Sequence, residues 1–308
     1  MSVRVGIVGP GAIAEWHAEA LAAAGAPVAA VAGPDRAQTA AFAARFGIPA
    51  TYGTAEDLYR HPGLDAVVVA SPHVLHAAQA MAAMDAGLHV LCEIPVALGL
   101  ADAEAVVARS RATGRHAAVA HTLRFCLPYL RLRAEVPRPA HVLARTLMLR
   151  QDDTGMGGRP RGWTDDVLWH HGAHTIDAAL WLLGAESATV HAAAGPAWAS
   201  SGRSMDVGAV LRVAGGGLAT VALSYHSRIP ARDLTVISEE RTLHLTGGVL
   251  RDHDGTVLVD VGDPMEREGL FRQDADFVDA IANGRRPGCV AEDVLPAMRV
   301  LHEIAGEA

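Results

Sequence analysis

The stretch VRVGIVGPGAIAEWHAEALAAAG, residues 3–25, contains the motif that decides the fold of the first part of this chain. It consists of a short apolar run, a glycine-rich turn and an alanine-rich segment that ends at Gly25. In the motif G-x-G-x-x-A, Gly9 permits a tight turn, Gly11 lets the backbone approach a pyrophosphate, and Ala14 allows close packing of helix and strand. The pattern predicts a dinucleotide-binding strand–turn–helix unit. A βα turn with incidental glycines is the alternative.

The end of the next apolar run, PVAAVAG (residues 27–33), bears on which nicotinamide cofactor binds. An acidic residue at this point would hold the ribose 2′-hydroxyl of NAD and repel the 2′-phosphate of NADP. This chain has Gly33 there, and Arg36 nearby could meet a phosphate. We therefore predict NADP in preference to NAD. The alternative is that Asp35 and Arg36 only begin a solvated helix.

Two more β-α units follow at residues 66–87 and 89–114, and a further strand is indicated at HAAVAH, residues 116–121. Fully apolar strands that alternate with helices indicate a parallel sheet covered on both faces, and ligands bind beyond the carboxyl ends of such strands. The residues that we expect at the cofactor are Gly9, Gly11, Ala12, Ile13, Gly33, Arg36, Ser71, Pro72, His73, His76, Glu93, Pro95 and His121. For Glu93, capping of the next helix is the alternative.

The pattern changes after residue 121. RGWTDDVLWHHGAHTIDAALWLLG, residues 161–184, predicts a long amphipathic helix that ends at Gly184. Strands are predicted around residues 188–194, 205–213, 217–227, 233–246 and 256–261. The glycines between these strands favour hairpins and hence an antiparallel sheet. The fold class is therefore α/β, with a doubly wound parallel Rossmann domain over residues 1–121 and an α+β domain with a predominantly antiparallel open sheet over residues 122–308.

Two histidines on the predicted helix, His170 and His174, are four residues apart and share a face with Asp177. Three interpretations stay open. One is a zinc site, for which further ligands at suitable spacing are lacking, and another is a structural pair. The third is acid–base catalysis over a nicotinamide, which suits histidine because its pKa lies near neutral pH. We favour the third and predict no metal site.

Composition limits the class of partner. The net charge of -8 argues against binding of nucleic acid or an anionic membrane, because both need a positive surface. No apolar run approaches the roughly 18 residues that a membrane-spanning helix needs. The three cysteines are isolated along the chain, which fits a reducing compartment. We expect a cytoplasmic protein that binds a small molecule.

Several motifs together resemble the family of glucose–fructose oxidoreductase and inositol dehydrogenase. They are the G-x-G-x-x-A turn, Ser71-Pro72 with His76, Glu93-x-Pro95, Gly172-x-His174-x-x-Asp177 and the closing FVDAIANGRRP. The resemblance covers essentially the whole chain. It implies a nicotinamide-dependent dehydrogenase with a Rossmann domain, in which Glu93 and Pro95 lie beside the nicotinamide.

This chain departs from the family pattern at two positions. The family has lysine between the glutamate and the proline, where it polarises the substrate hydroxyl, and Ile94 stands there in this chain. The family usually has aspartate at the position of His170. Both departures argue against oxidation of an ordinary polyol or sugar. His174 stays in place as the base, with Asp177 nearby.

Within the family, VLWHHGAHTID, HTLRF and RGWTDD resemble a subgroup of bacterial semialdehyde dehydrogenases of aromatic catabolism. That resemblance implies oxidation of the cyclic hemiacetal of 4-carboxy-2-hydroxymuconate-6-semialdehyde to 2-pyrone-4,6-dicarboxylate, with NADP preferred. A carboxylated ring favours cations, a hydrogen-bond donor and an apolar wall. The candidates for binding it are Ile94, Arg124, Arg161, Trp163 and His170. A domain-joining salt bridge or a solvated surface is the alternative for each of the two arginines, and a core position is the alternative for Trp163.

Other activities and an oligomer are also considered. One alternative is a dehydrogenase or reductase of another small ring, sugar-like or secondary-metabolite substrate. Another is a catalytically silent regulator that binds NADP or NAD, which the loss of the family lysine favours and the presence of His174 disfavours. Because an open sheet must cover its outer face, we expect a homodimer or a dimer of dimers.

Overall fold

The computed structural model describes residues 3–150, 166–262 and 264–307. The chain divides into two compact units, one of Met1–His121 with Leu270–Leu295 and the other of Thr122–Gly269 with Pro296–Ala308. The sequence pattern assigns residues 270–295 to the second domain, but the structure places them in the first unit. The physical reason is that Phe277 and Val278 belong to the buried core of that unit.

The first unit is built on a six-stranded sheet with the strand order β3-β2-β1-β4-β5-β6, and every neighbouring pair is parallel. The strands are β1 Val5–Val8, β2 Val28–Ala32, β3 Ala50–Tyr52, β4 Ala66–Val69, β5 His89–Cys92 and β6 Ala117–Val119. All residues of β1 and β4 are buried, because these central strands are covered on both faces. The predicted doubly wound parallel sheet is confirmed.

Helices connect these strands, as the parallel arrangement requires. They are α1 Ala12–Ala23, α2 Arg36–Phe46, α3 Ala55–Tyr59, α4 His76–Asp85 and α5 Leu100–Thr113. A 3-10 turn, His73–Leu75, precedes α4. The side chain of Asp35 caps α2 by accepting hydrogen bonds from the backbone N–H groups of Ala37 and Gln38. The order of strands and helices follows the alternation predicted from the sequence, except that β3 and α3 were not predicted.

The second unit contains an eight-stranded sheet with the order β14-β13-β12-β11-β7-β10-β9-β8. The strands are β7 His141–Leu149, β8 Ala188–Ala194, β9 Asp206–Val213, β10 Leu218–Ser224, β11 His226–Ile237, β12 Thr242–Thr246, β13 Val249–Asp252 and β14 Val257–Asp260. Only the pairing of β7 with β10 is parallel among the described strands. Buried and exposed residues alternate along β9, which shows that this sheet has one buried and one open face.

Some strands of this sheet differ from the sequence prediction. The predicted strand 233–246 covers the end of β11 and all of β12. Its two parts are separated by a turn in which the backbone N–H of Ser238 donates to the carbonyl of Arg241. β7 and β13 were not expected from the pattern. The sheet is nevertheless predominantly antiparallel, as predicted.

The remaining helices are α6 Leu127–Glu135, α7 Ala173–Leu183, α8 Met265–Asn283 and α9 Ala291–Glu307. A π-helical turn, Leu168–Gly172, precedes α7. The predicted helix 161–184 ends at Gly184 with a left-handed backbone, whereas residues 161–165 lie outside the described residues. Over the ranges that the structure describes, no helix has the length and apolar character needed to cross a membrane.

Candidate active site

Three neighbouring strands of the first unit end at the same level. Val8 pairs with Val69, and Val69 pairs with Cys92, so the chain leaves β1, β4 and β5 side by side. Gly9 follows β1 with φ of 97°, and a Cβ there would lie 2.5 Å from the carbonyl oxygen of Ala70. The turn after β1 therefore needs glycine both for its backbone angle and for its close approach to the end of β4.

The start of α1 fits an anionic group. Gly11 is the N-cap residue and supplies no side-chain hydrogen bond to the first turn, where Ala12 and Ile13 are the first two residues. A Cβ placed on Gly11 would meet no protein atom within 4 Å, so packing within the protein does not require glycine here. The backbone N–H groups and the helix dipole would favour a pyrophosphate at this helix N-terminus.

The end of β2 has no room for an acidic side chain. A Cβ at Gly33 would lie 2.6 Å from Cδ of Pro10 and 2.7 Å from Oγ1 of Thr39. Asp35 uses its carboxylate to cap α2, and the exposed Arg36 is the first residue of that helix. The geometry therefore offers no carboxylate at Gly33 itself, which is where an NAD-selective grip is expected.

The loops after β4 and β5 are joined by one histidine. His76, the first residue of α4, is fully buried, and its Nδ1 lies 2.8 Å from the carbonyl oxygen of Pro95. Its Nε2 lies 2.8 Å from the carbonyl oxygen of Ser71. Pro72 and His73 continue from Ser71 into the 3-10 turn. These predicted cofactor residues therefore lie together at the carboxyl ends of the strands.

The last two strands complete this edge of the sheet. Glu93 directly follows β5, and His121 follows β6 and is 4% exposed. Glu93 does not cap the next helix, because α5 begins at Leu100 and its N-cap residue is Gly99. Ile94 is 4% exposed. The structure thus brings every cofactor candidate to one edge of the parallel sheet, while the binding role of each stays a prediction.

The side chain of Glu93 belongs to a buried cluster of three ionisable groups. Nε2 of His17, on α1, lies 2.9 Å from Oε1 of Glu93, and Nδ1 lies 2.7 Å from Oδ2 of Asp274, on α8. The side chains of His17 and Asp274 are 0% exposed, whereas that of Glu93 is 15% exposed. We refer to these three residues as the His17 cluster.

Electrostatics favour the charged imidazole in this cluster. Burial alone would lower the pKa of His17, but the carboxylates of Asp274 and Glu93 outweigh burial and raise it to about 10. Burial raises the pKa of Asp274, and the attraction to His17 opposes that rise. We infer that His17 is an imidazolium that donates from both ring nitrogens.

Sequence reasoning missed His17 and Asp274. The available signal was that Ala14, His17, Ala18 and Leu21 recur at helical spacing and form the buried face of α1. A titratable residue on such a face needs a buried partner. The motif G-x-G-x-x-A ends at Ala14, three residues before His17, and therefore does not include this residue.

In the second unit, two predicted site residues contact each other. Nε and Nη2 of Arg124 donate to the two carboxylate oxygens of Asp177 at 2.8 and 2.6 Å, and these residues are 8% and 2% exposed. His174 is the second residue of α7, three positions before Asp177, and is half-buried. A buried bidentate pair holds the carboxylate of Asp177 rigidly. Both residues belong to the second unit, so this salt bridge differs from the domain-joining one that was the alternative for Arg124, and the binding of a substrate carboxylate by Arg124 stays a prediction.

His170 lies in the π-helical turn and contacts a tyrosine that the sequence prediction did not include. Nδ1 of His170 is 3.0 Å from the hydroxyl oxygen of Tyr225, and Nδ1 of His171 is 2.7 Å from the same oxygen. Tyr225 is fully buried, and its position after β10 carries no motif that would reveal the contact. One phenol hydroxyl can donate only one hydrogen bond, so the two imidazoles play different roles toward it.

Two substrate candidates, Arg161 and Trp163, lie outside the described residues. Within the ranges that the structure describes, the histidine, cysteine, aspartate and glutamate side chains form no group of three or more that could hold a metal ion.

Comparison with known proteins gives matches over both units. Residues 3–121 match the model described as "Oxidoreductase family, NAD-binding Rossmann fold", and residues 132–242 match the model described as "Bacterial oxidoreductases, C-terminal". A curated relative, 4-carboxy-2-hydroxymuconate-6-semialdehyde dehydrogenase from Sphingobium sp., is 31% identical over 98% of this chain and 98% of its own length.

Solved structures show the same fold. An oxidoreductase from Agrobacterium radiobacter, in complex with NAD⁺, L-tartaric acid and magnesium, superposes with a TM-score of 0.88 at 19% identity. The match covers 99% of this chain and 97% of that chain. Levoglucosan dehydrogenase in complex with NADH superposes with a TM-score of 0.86 at 21% identity, over 100% of this chain and 98% of that chain.

Proposed function

Since this chain belongs to the oxidoreductase family with an NAD-binding Rossmann fold, we propose that it oxidises a carboxylated cyclic hemiacetal or semialdehyde. The proposed reaction is of the type that converts 4-carboxy-2-hydroxymuconate-6-semialdehyde to 2-pyrone-4,6-dicarboxylate. The observation that carries this proposal is the 31% identity to the Sphingobium dehydrogenase along 98% of both chains. The presence of His174 and the replacement of the family lysine by Ile94 also support it.

The proposed chemistry requires a base and a hydride acceptor. Bound NADP or NAD would accept the hydride that leaves the hemiacetal carbon. A ring nitrogen of His174 would take the hydroxyl proton as the carbonyl forms, since imidazole titrates near neutral pH. Arg124 would position Asp177 on the same helix as His174. The product is a lactone, and the balance is one hydride and one proton removed.

We propose NADP as the preferred cofactor. The support is the lack of space for an acidic side chain at Gly33 and the exposure of Arg36 at the start of α2. The carboxylate of Asp35 is held by two backbone N–H groups of α2, which leaves Arg36 as the side chain suited to a 2′-phosphate.

The test is turnover of a generated substrate. Purified protein is mixed with NADP or NAD and enzymatically produced 4-carboxy-2-hydroxymuconate-6-semialdehyde, and the absorbance of reduced nicotinamide is followed. We expect turnover, faster with NADP, and a loss of about 10² to 10⁴ in turnover for His174→Ala. His141→Ala is the matched control. The ring of this half-buried histidine on β7 lies 2.9 Å from the hydroxyl oxygen of Thr220 and has no part in the proposed reaction, so its removal should leave the rate unchanged.

Three other results would contradict the proposed base, the proposed cofactor preference or the proposed substrate. A change of less than about threefold for His174→Ala would contradict its role as base, because general bases contribute far more than that. A clear preference for NAD would contradict the interpretation of Gly33. Cofactor binding without turnover would reject this substrate and lead to tests of other small-ring, sugar-like or secondary-metabolite substrates.

A further inference from the structure

The His17 cluster is a costly arrangement that the proposed reaction does not use. His17 is fully buried, and burial of a charged group is unfavourable unless partners compensate for the lost water. Apolar neighbours on the same face of α1, Ala14, Ala18 and Leu21, show that an apolar residue would suit this position. The charge at this position is therefore kept at a cost in folding free energy.

Every carboxylate oxygen of the cluster accepts a hydrogen bond. In Glu93, Oε1 accepts from His17 and Oε2 accepts from the backbone N–H of Ile94 at 3.2 Å. In Asp274, Oδ2 accepts from His17 and Oδ1 accepts from Nε2 of Gln273 at 3.2 Å. The carboxylate of Glu93 is therefore fixed in orientation. Its 15% exposure makes it the one member of the cluster that a ligand can reach.

The position of Glu93 in the sheet indicates which end of a bound dinucleotide it would lie near. The pyrophosphate is expected at the start of α1, beside β1, and the adenosine ribose at the end of β2. A nicotinamide on the other side of β1 would then lie over the ends of β4 and β5. Glu93 leaves β5 two strands from β1, which corresponds to about 10 Å along the sheet.

We propose that His17 is a positioning residue that holds the carboxylate of Glu93, fixed and ionised, toward the nicotinamide end of the bound dinucleotide, with Asp274 as its buried counter-charge. This inference rests on the proposed dinucleotide site. The imidazolium connects the helix whose N-terminus faces the pyrophosphate with the carboxylate at the end of β5. His17 thereby fixes the negative charge of Glu93 near the nicotinamide ring.

The arrangement has a measurable electrostatic consequence. Oxidised nicotinamide carries a positive charge and reduced nicotinamide is neutral, so a fixed carboxylate favours binding of the oxidised form. For charges several ångströms apart near a protein surface, the expected effect is roughly three- to tenfold in the ratio of the two dissociation constants. A histidine that only joins α1 to α8 would have no influence on that ratio.

The experiment is a double-mutant cycle on cofactor binding, which needs no substrate. Dissociation constants of NADP⁺ and NADPH, or of NAD⁺ and NADH if that pair binds more tightly, are measured by titration calorimetry. In the unaltered background, Glu93→Gln should weaken the oxidised form relative to the reduced form by roughly three- to tenfold. In the His17→Asn background, the same substitution should change the ratio by less than about twofold, because the carboxylate is no longer held.

Controls separate this role from a structural one. His89→Asn is the matched control, because His89 is a partly buried histidine at the opposite end of β5, and it should leave the effect of Glu93→Gln intact. Thermal unfolding checks that each variant folds. If His17→Asn does not fold, Asp274→Asn removes the counter-charge while keeping the other two side chains, and it should also reduce the effect of Glu93→Gln.

The possible outcomes are distinct. An equal effect of Glu93→Gln with and without His17 would overturn the inference and leave the proposed function standing. No effect of Glu93→Gln in the unaltered chain would overturn it as well. Failure of the unaltered chain to bind any nicotinamide dinucleotide would overturn the proposed function, and this inference with it.

Discussion

At the scale of single residues, the charge on His17 makes the stability of the fold depend on pH. The two carboxylates that face it raise its pKa to about 10, whereas an unfolded histidine titrates near 6.5. A group whose pKa is higher in the folded state binds its proton more tightly there. Its contribution to stability is therefore complete below about pH 6.5 and is lost as the pH rises toward 10.

We predict that the free energy of unfolding contributed by His17 falls by up to about 1.4 kcal/mol per pH unit between about pH 7 and 10. Chemical denaturation of the unaltered protein and of His17→Asn at several pH values measures it. The stability difference between the two should be largest near neutral pH and should narrow as the pH approaches 10. A difference that stays constant over this range would contradict a charged His17.

Residue-level contacts were only partly predictable. Gly9, Gly11 and Gly33 belong to a local motif, so their positions followed from the sequence. His17 and Asp274 are separated by 257 positions, and no local pattern connects them. Arg124 and Asp177 are 53 positions apart, and the sequence did not decide whether Arg124 binds substrate or forms a salt bridge. Long-range side-chain pairs depend on packing that a local pattern does not encode.

At the scale of elements, α1 has two functional parts. Its N-terminus begins at Gly11 with open space above it, and its second turn carries His17 inward. The helix that follows the glycine-rich turn therefore also places a buried charge, on His17. The helix combines an anion-binding end with a link to the end of β5.

We predict that Gly11→Ala leaves stability within about 0.5 kcal/mol but weakens dinucleotide binding at least tenfold. The backbone of Gly11, with φ of -86°, suits alanine, and its Cβ would meet no protein atom, so only an approaching pyrophosphate would be obstructed. Calorimetric titration and denaturant unfolding measure both effects. Gly208→Ala, at an equally open position in β9, is the control and should leave dinucleotide binding unchanged. Unchanged affinity in Gly11→Ala would contradict a pyrophosphate at this turn.

Prediction of elements was better for the first unit than for the second. Buried parallel strands such as β4 are continuous apolar runs, so the βα alternation was visible. In the second unit, the turn between β11 and β12 is the polar stretch 238–241, which contains neither the glycine nor the proline that marks many turns, so the two strands were predicted as one. The π-helical turn before α7 gave no signal either, because the spacing of His170 and His174 fits an ordinary helix.

At the scale of the whole molecule, the eight-stranded sheet leaves one face open. Leu149, Val210 and Leu218 lie on that face and are 41%, 41% and 36% exposed. Exposed apolar residues on adjacent strands are typical of a surface that another chain covers. A symmetric dimer would cover the same face of both copies.

We predict a homodimer, or a dimer of such dimers, that associates through this face. Light scattering with size-exclusion chromatography should give a multiple of the 32.1 kDa chain mass. Val210→Arg should shift the mass toward that of one chain, because two like charges would oppose each other across the symmetry axis. Leu130→Arg, similarly exposed at 40% but on α6, should not. A single-chain mass for the unaltered protein would contradict the prediction.

The first unit consists of two separate segments of the chain, so it cannot be completed until late in synthesis on the ribosome. Its sheet is complete at residue 121, yet the core still lacks Phe277 and Val278. At about 5 to 20 residues per second, translation delivers them on the order of ten to thirty seconds later. During that interval the nascent chain exposes apolar surface that the finished protein covers. Newly made chains are therefore candidates for chaperone binding before the last helices emerge.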